Sequence, residues 1–454
     1  MRLRRRDVLA GAVAMAAVPS FASPMPVLRA AAGTAQLAPP EYDPTPIWGY
    51  DAAVPGPEIR LAQGARLTRR LLNELPQPTS VHWHGIRIEN AMDGVVGMTQ
   101  EAVPPGGSFD YDFALPDAGT YWYHPHHRTW EQMARGLYGP LIVEEAQPPE
   151  VDEELVLMLD DWRFAADATL HDSFGAPHDW AHAGRIGNWV TVNGRPDWQH
   201  RVAQGARLRL RLINCANARI FPLALSGMRA HVVALDGQPV ERPYAVSEVT
   251  LAPAQRCDLI VDVTAAAGGT ARITERDREG ELALADFPVE GVARSADLEP
   301  PAALPPNALP EIGALDGAQV AQMRMQGGAM GGMLSAELNG TRQDMRALAG
   351  QGAFWALEGV AMLAEAPFLR AALGETVRIA LRNDTAWPHA MHLHGHHFRR
   401  VDSGTPGPWR DTLLLDRRES AEIAFVADNP GKWLFHCHML EHAAGGMVTW
   451  IEVG

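Results

Sequence analysis

Cysteine is scarce. The 454 residues contain only Cys215, Cys257 and Cys437, so no framework of disulfides holds this fold together. Beyond the N-terminal segment no apolar run approaches the ~20 residues of a membrane-spanning helix, and no stable membrane anchor is expected. Basic charge is in deficit as well: 39 Lys and Arg stand against 54 Asp and Glu, for a formal charge of −15. That balance argues against nucleic acid as a partner, because phosphate-backbone binding depends on Lys and Arg. Long helical periodicity is missing too, whereas short strand-like runs are plentiful among 42 glycines and 35 prolines. An all-β sandwich is favoured over a helical fold. The length leaves room for about three domains of ~150 residues, each with its own core.

The N-terminus reads as a targeting segment. "MRLRRRDVLAGAVAMAAVPSFA", residues 1–22, has a basic start, an eleven-residue apolar run from Val8 to Val18, and a plausible cleavage site at Ser20-Phe21-Ala22. The run is too short to cross a bilayer. Arg5-Arg6 before Asp7-Val8-Leu9 resembles the twin-arginine signal read by an export receptor, so a periplasmic location, with the twin-arginine export machinery as a partner, is expected. Cleavage removes four Arg and one Asp and leaves a mature charge near −18.

Three segments repeat a pattern: "GARLTRRLLN" from Gly64, "GARLRLRLIN" from Gly205 and "GETVRIALRN" from Gly374. Each runs from a Gly to an Asn nine positions on, and the second alternates charged and apolar residues in the period of a half-buried strand. Nine residues after Asn73 stands His82-Trp83-His84-Gly85, and nine after Asn383 stands His392-Leu393-His394-Gly395. Nine after Asn214, leucines fill the histidine positions, in Leu223-Ala224-Leu225. "GTYWYHPH" from Gly119 and "GKWLFHCH" from Gly431 form a second matched pair. The chain therefore reads as three copies of one β-rich module, with ligand chemistry in the first and third.

There are four His-x-His pairs: His82/His84, His124/His126, His392/His394 and His436/His438. On a strand, residues two apart share a face, so each pair offers two neutral imidazoles side by side, suited to copper, iron or zinc. Eight imidazoles exceed the needs of one ion and divide naturally as three, three and two. If His436 and His438 face such a cluster, Cys437 points to the opposite side of the strand. There it can join His442, Met447 and a histidine of "WPHAMHLHG", most plausibly His389. One thiolate, two imidazoles and a weak thioether are the ligands of a blue, electron-transfer copper site. The counterpart of Cys437 in the first module is Pro125, so no second such site is expected.

The motifs "HWHG", "YWYHPH", "HAMHLHG" and "HCHMLEHAAGGM", in this order, resemble those of multicopper oxidases of the laccase and bacterial cuprous-oxidase, copper-tolerance type. The resemblance implies three tandem cupredoxin-like Greek-key sandwiches: residues 40–146, 150–290 (copper-free) and 336–454, with a linker containing a Met-rich segment at 291–335. It implies an enzyme that oxidises a donor one electron at a time and reduces dioxygen to water. Carried over residue by residue, type 1 copper would be held by His389, Cys437, His442 and Met447, and type 2 copper by His82 and His392. One type 3 copper would take His84, His124 and His438, the other His126, His394 and His436. Cys437 with His436 and His438 would be the catalytic electron path. Asp93 matches an acidic residue that assists proton delivery in some relatives, and also fits a turn before Gly94. Two departures stand out: Pro388 precedes His389 instead of following it, and Ala443 replaces a Glu that some relatives place after the later type 1 histidine.

His127, His396 and His397 adjoin the ligand motifs as supporting or packing residues, and His171, His178 and His182 read as solvated loop histidines. Cys215 and Cys257 are compatible with a disulfide or with buried free thiols. The tract "MRMQGGAMGGM", residues 323–333, is either a soft Cu(I)-binding segment or a flexible linker. The reducing substrate is accordingly a phenol or aromatic amine, or Cu(I). The alternative is a periplasmic protein that sequesters copper for tolerance without significant turnover.

Overall fold

The computed structural model describes residues 25–276 and 280–454; the expected export segment lies outside them. The expected fold class is the one observed: three β-sandwiches in tandem.

Each repeat segment becomes a strand at the centre of its unit: Arg66–Asn73, Arg207–Asn214 and Thr376–Asn383. Each lies parallel to the first strand of its unit, respectively Val27–Ala35, Glu153–Trp162 and Gln319–Gly327. On the other side each pairs antiparallel with Ser108–Ala114, Arg256–Val263 or Ser420–Val426. The recurring Asn has the same task three times. Its side-chain oxygen accepts the N–H two residues on (Leu75, Ala216, Thr385). Its amide donates to Gln77 and Val103, to Arg219 and Leu251, or to Trp387 and Asp416. Fully buried, it satisfies the backbone of the loop that leads to the histidine-bearing strand.

Two boundaries differ from expectation. Val27–Ala35 precedes residue 40 yet belongs to the first sandwich, burying Leu28 and Ala30. The segment 291–335 is not linker throughout, because Gln319–Gly327 is a sheet strand of the third unit. The physical reason is the period of two: Met323 and Met325 point into the core, 1% and 0% exposed, while Arg324 between them faces out. Met333 is buried as well, and of the four methionines of the tract only Met330 is open, at 79%. Met323→Ala is therefore expected to cost about 2–5 kcal/mol of stability and Met330→Ala no more than about 0.5 kcal/mol, as urea denaturation would read.

The apolar cores of the first and third units run together, Leu71, Trp83 and Tyr121 sharing one cluster with Val377, Met391 and Trp433. The second unit has a separate core, in which Leu223 and Leu225 occupy the positions that carry histidine in its neighbours. The fusion of the outer cores brings the histidine strands of the first and third units face to face. Cys215 and Cys257 are both buried and free.

Candidate metal centres

Two hairpin-like pairings set the register of the histidines. His82–His84 runs antiparallel to Gly119–His124, with His82 opposite His124. His389–Leu393 runs antiparallel to Gly431–Cys437, with His392 opposite His436 and Met391 opposite Cys437. Between the units His82 stacks on His394 with ring centroids 4.0 Å apart, and His84 on His392 at 3.8 Å. Three groups of converging nitrogens result: His82, His84 and His392; His84, His124 and His438; His126, His394 and His436.

The ring nitrogens divide into tethered and free. His124 Nδ1 donates to the Pro125 carbonyl (2.9 Å), His436 Nδ1 to that of Cys437 (2.9 Å) and His392 Nδ1 to that of Asp411 (2.9 Å). These tethers select the tautomer that leaves Nε2 a bare lone pair. His82 Nε2, His392 Nε2, His84 Nδ1 and His438 Nδ1 are buried with no hydrogen-bond partner at all. His394 Nε2 lies 3.1 Å from His436 Nε2, and His124 Nε2 3.4 Å from His438 Nε2. The orphaned nitrogens of His82, His84 and His392, on rings held through their other nitrogen, fit metal ions and are costly without them. Burial, reinforced by neighbouring imidazoles, holds the pKa values of His84, His124, His126, His394 and His438 well below the ordinary range. That of His436 falls to about 3 for the same reasons. These rings are neutral ligands near pH 7.

On the other side of the same strand, Cys437 Sγ lies 3.7 Å from His389 Nδ1 and 3.7 Å from His442 Nδ1, which are 3.0 Å apart. His389 Nε2 is hydrogen-bonded to Thr385 Oγ1 (2.8 Å) and His442 Nε2–H donates to the His182 carbonyl (2.6 Å). The short helix Leu440–Ala444 carries His442 back under the strand. Met447, fully buried, is fixed by backbone bonds to both Cys437 and His442. Burial pushes the Cys437 thiol up to about 12 and lowers His442 to about 4. A buried thiol with two imidazoles suits copper better than harder ions.

Asp93 is buried between the histidines. Its Oδ2 is hydrogen-bonded to His394 Nδ1 (2.9 Å), its carbonyl accepts from His82 Nδ1 (2.8 Å), and its Oδ1 has no hydrogen-bond partner. Gly94 behind it adopts φ +82°, where a side chain would run into the Val81 carbonyl. A cavity of about 350 Å³ reaches His124, His126 and His436 past Arg128, Trp130 and Leu440.

Three family models described as multicopper oxidase match residues 31–148, 153–270 and 338–454. Multicopper oxidase MmcO of Mycobacterium tuberculosis is 32% identical over 434 residues, covering 89% of this chain and 82% of its own. The chain belongs to the multicopper oxidase family. Its metal is accordingly copper, and its activity is that of an oxidoreductase with oxygen as acceptor. Laccase-1 of Botryotinia fuckeliana is 30% identical to this multicopper oxidase over 442 residues, covering 88% of it and 77% of Laccase-1. The crystal structure of Lac15 from a marine microbial metagenome superposes with a TM-score of 0.77 at 41% identity, covering 94% of this chain and 100% of that one.

Sequence reasoning missed a second carboxylate buried against the oxidase's histidine cluster, that of Asp411. Asp411 Oδ1 lies 3.4 Å from His84 Nε2 and 3.5 Å from His392 Nδ1. Arg256, from the second unit, grips both carboxylate oxygens at 2.9 and 2.7 Å. Burial opposes ionisation of Asp411, yet Arg256 and His84 hold its pKa well below the carboxylate range. Gly85 leaves room for this pair, since a side chain there would strike Arg256 and Asp411. His397 and His396 are buried beside the cluster, His397 Nε2 being 4.0 Å from Asp411 and His396 Nδ1 donating to the His394 carbonyl (3.3 Å). Glu441, ahead of His442 where Ala443 follows it, is buried, accepts from Asn217 Nδ2 (2.9 Å), and is raised by burial to about 6.

Proposed function

We propose that this oxidase is laccase-like, coupling one-electron oxidation of a phenol or aromatic amine to four-electron reduction of dioxygen to two waters. The carrying observation is the strand Gly431–Cys437 with His438 just after it: Cys437 Sγ meets His389 and His442 on one face, while His436 and His438 join the histidine groups on the other. His389, Cys437, His442 and Met447 would hold type 1 copper, and His82 and His392 type 2 copper. His84, His124 and His438 would hold one type 3 ion, and His126, His394 and His436 the other. When bound, copper accepts single electrons at the first site and delivers four to dioxygen at the second.

The protein's own groups supply the rest. The Cys437 peptide leads directly to His436 and His438, and His436 Nδ1–H returns to the Cys437 carbonyl, so a covalent and a hydrogen-bonded route join the two centres. Asp93 orients His394 through Oδ2, and its unpartnered Oδ1, 3.2 Å from His82 Nδ1, is placed to hand on protons. Burial keeps bulk water from His389, Cys437, His442 and Met447, whereas the cavity at His124, His126 and His436 opens the histidine cluster on one side. The aromatic donor is favoured over Cu(I) because the methionine tract offers one exposed thioether, Met330. We also read residues 1–22 as a twin-arginine signal, placing the enzyme in the periplasm.

Copper-loaded protein should contain four ions per molecule and consume one dioxygen per four electrons from a phenol. Parallel assays with a phenol and with Cu(I) would order the donors. One copper per molecule with no oxygen uptake would instead identify a sequestering protein.

A further inference from the structure

His442 is 0% exposed, so no donor can touch it. Its outer nitrogen, Nε2–H, is spent on the main-chain carbonyl of His182, 2.6 Å away. His182 follows the short helix Pro177–Ala181 of the second unit and is therefore the next group outward from the candidate type 1 site. Its Nδ1–H donates to the His178 carbonyl (2.9 Å), which leaves its Nε2 as the acceptor nitrogen. The His182 ring lies parallel to that of His178, centroids 4.0 Å apart and planes 10° apart, and the Trp387 ring stands edge-on at 5.5 Å. The side chain of His178 is 77% exposed.

This surface is bolted down from both sides. Trp355, packed on His389 and His442, donates its Nε1–H to the Trp180 carbonyl (2.6 Å). Ala329 donates to the Ala181 carbonyl (2.6 Å) and accepts from Trp387 Nε1 (3.0 Å). The π surface over His442 is thus held in place rather than carried on a free loop. Its charge is low, because both oxygens of the adjacent Asp179 are taken by Arg163 at 2.7 and 3.1 Å.

We propose that His178, His182 and Trp387 form the electron-entry platform, on which a planar aromatic donor stacks and passes its electron through the His182 carbonyl hydrogen bond into His442. The inference rests on the oxidase reading above. A phenol docked there loses one electron to the type 1 site through His442 and its hydroxyl proton to the surrounding water, and leaves as a phenoxyl radical. Four such events match the four electrons and four protons that turn one dioxygen into two waters.

The test uses copper-loaded enzyme and the variants His178→Ala, His182→Ala and the double variant. Copper content and the type 1 absorption confirm that each is folded and loaded. Oxygen uptake is measured with 2,6-dimethoxyphenol, with Cu(I) and with ferrocyanide. The phenol KM is expected to rise about three- to tenfold relative to the ferrocyanide KM, on the scale of one lost aromatic contact. Binding of 1,3-dimethoxybenzene, a ring without an ionisable hydroxyl, should shift the ring-proton NMR signals of His178 and His182 in the metal-free protein. An unchanged phenol KM in the double variant overturns the platform, as does a rise confined to Cu(I), which would identify a soft-cation site. If wild-type enzyme consumes no oxygen with any donor, the oxidase reading itself fails.

Discussion

Cys437→Ser is expected to lower donor-driven oxygen uptake by at least about 10³-fold, equivalent to roughly 4 kcal/mol or more in barrier. Serine offers a hard, poorly ionised oxygen where the Cys437 sulfur lies 3.7 Å from two imidazoles, and copper at such sites is selected by the soft thiolate. The strand itself should persist, because Cys437 is held by backbone bonds from its N–H to the Met447 carbonyl and within the sheet. Metal analysis should then give three coppers in place of four, without the intense thiolate absorption in the visible spectrum. A variant that keeps its colour and turnover would show that Cys437 is a packing residue.

The second large effect is expected at Asp411. Arg256 is 0% exposed and donates to both oxygens of that carboxylate, with a further bond from Nε to the Thr120 carbonyl. Asp411→Ala would strand a buried guanidinium, since the other nearby carboxylate, Asp236, is 3.9 Å away and already accepts from the Arg256 N–H. Breaking one side of a buried pair costs about 3–5 kcal/mol, and denaturant unfolding should show a loss of that size. The same change frees His84 from the carboxylate beside it, while His392 keeps its bond to the main-chain carbonyl of residue 411, so copper should be lost from the part of the cluster that His84 serves while the type 1 absorption stays. The double variant Arg256→Met/Asp411→Leu separates the two consequences: stability should partly recover, because no charge is left unpaired, and cluster loading should not. Full loading in Asp411→Ala would rule out its part in positioning the histidines. The second unit thus reaches the cluster through Arg256.

Much of the candidate site is legible in the sequence because its signal is local. Side chains two apart share a strand face whatever the rest of the fold does, so "HWH", "HPH", "HLH" and "HCH" announce paired imidazoles and an opposed thiol. The nine-residue interval from Asn to the first histidine is legible for a similar reason, the Asn closing a loop over its own neighbours. The methionine tract shows where a local reading stops short. Composition made it a linker or a metal-binding segment, whereas Met323 and Met325, also two apart, are core residues of a strand pairing with Thr376–Asn383. The strand period was visible, but not the partner that made it a sheet strand.

By itself the sequence determined the three-module architecture, the eight cluster histidines and the thiol set apart from them, all properties of strand period and repeat spacing. Only the tertiary structure decided which units meet, which nitrogens are tethered, and that Arg256, Asp411 and the carbonyl of His182 attend the centres. Those groups lie up to 327 residues from the side chains they touch. A main-chain carbonyl carries no residue-type signature, and a buried carboxylate among 54 acidic residues looks like any other until the fold brings its guanidinium to it.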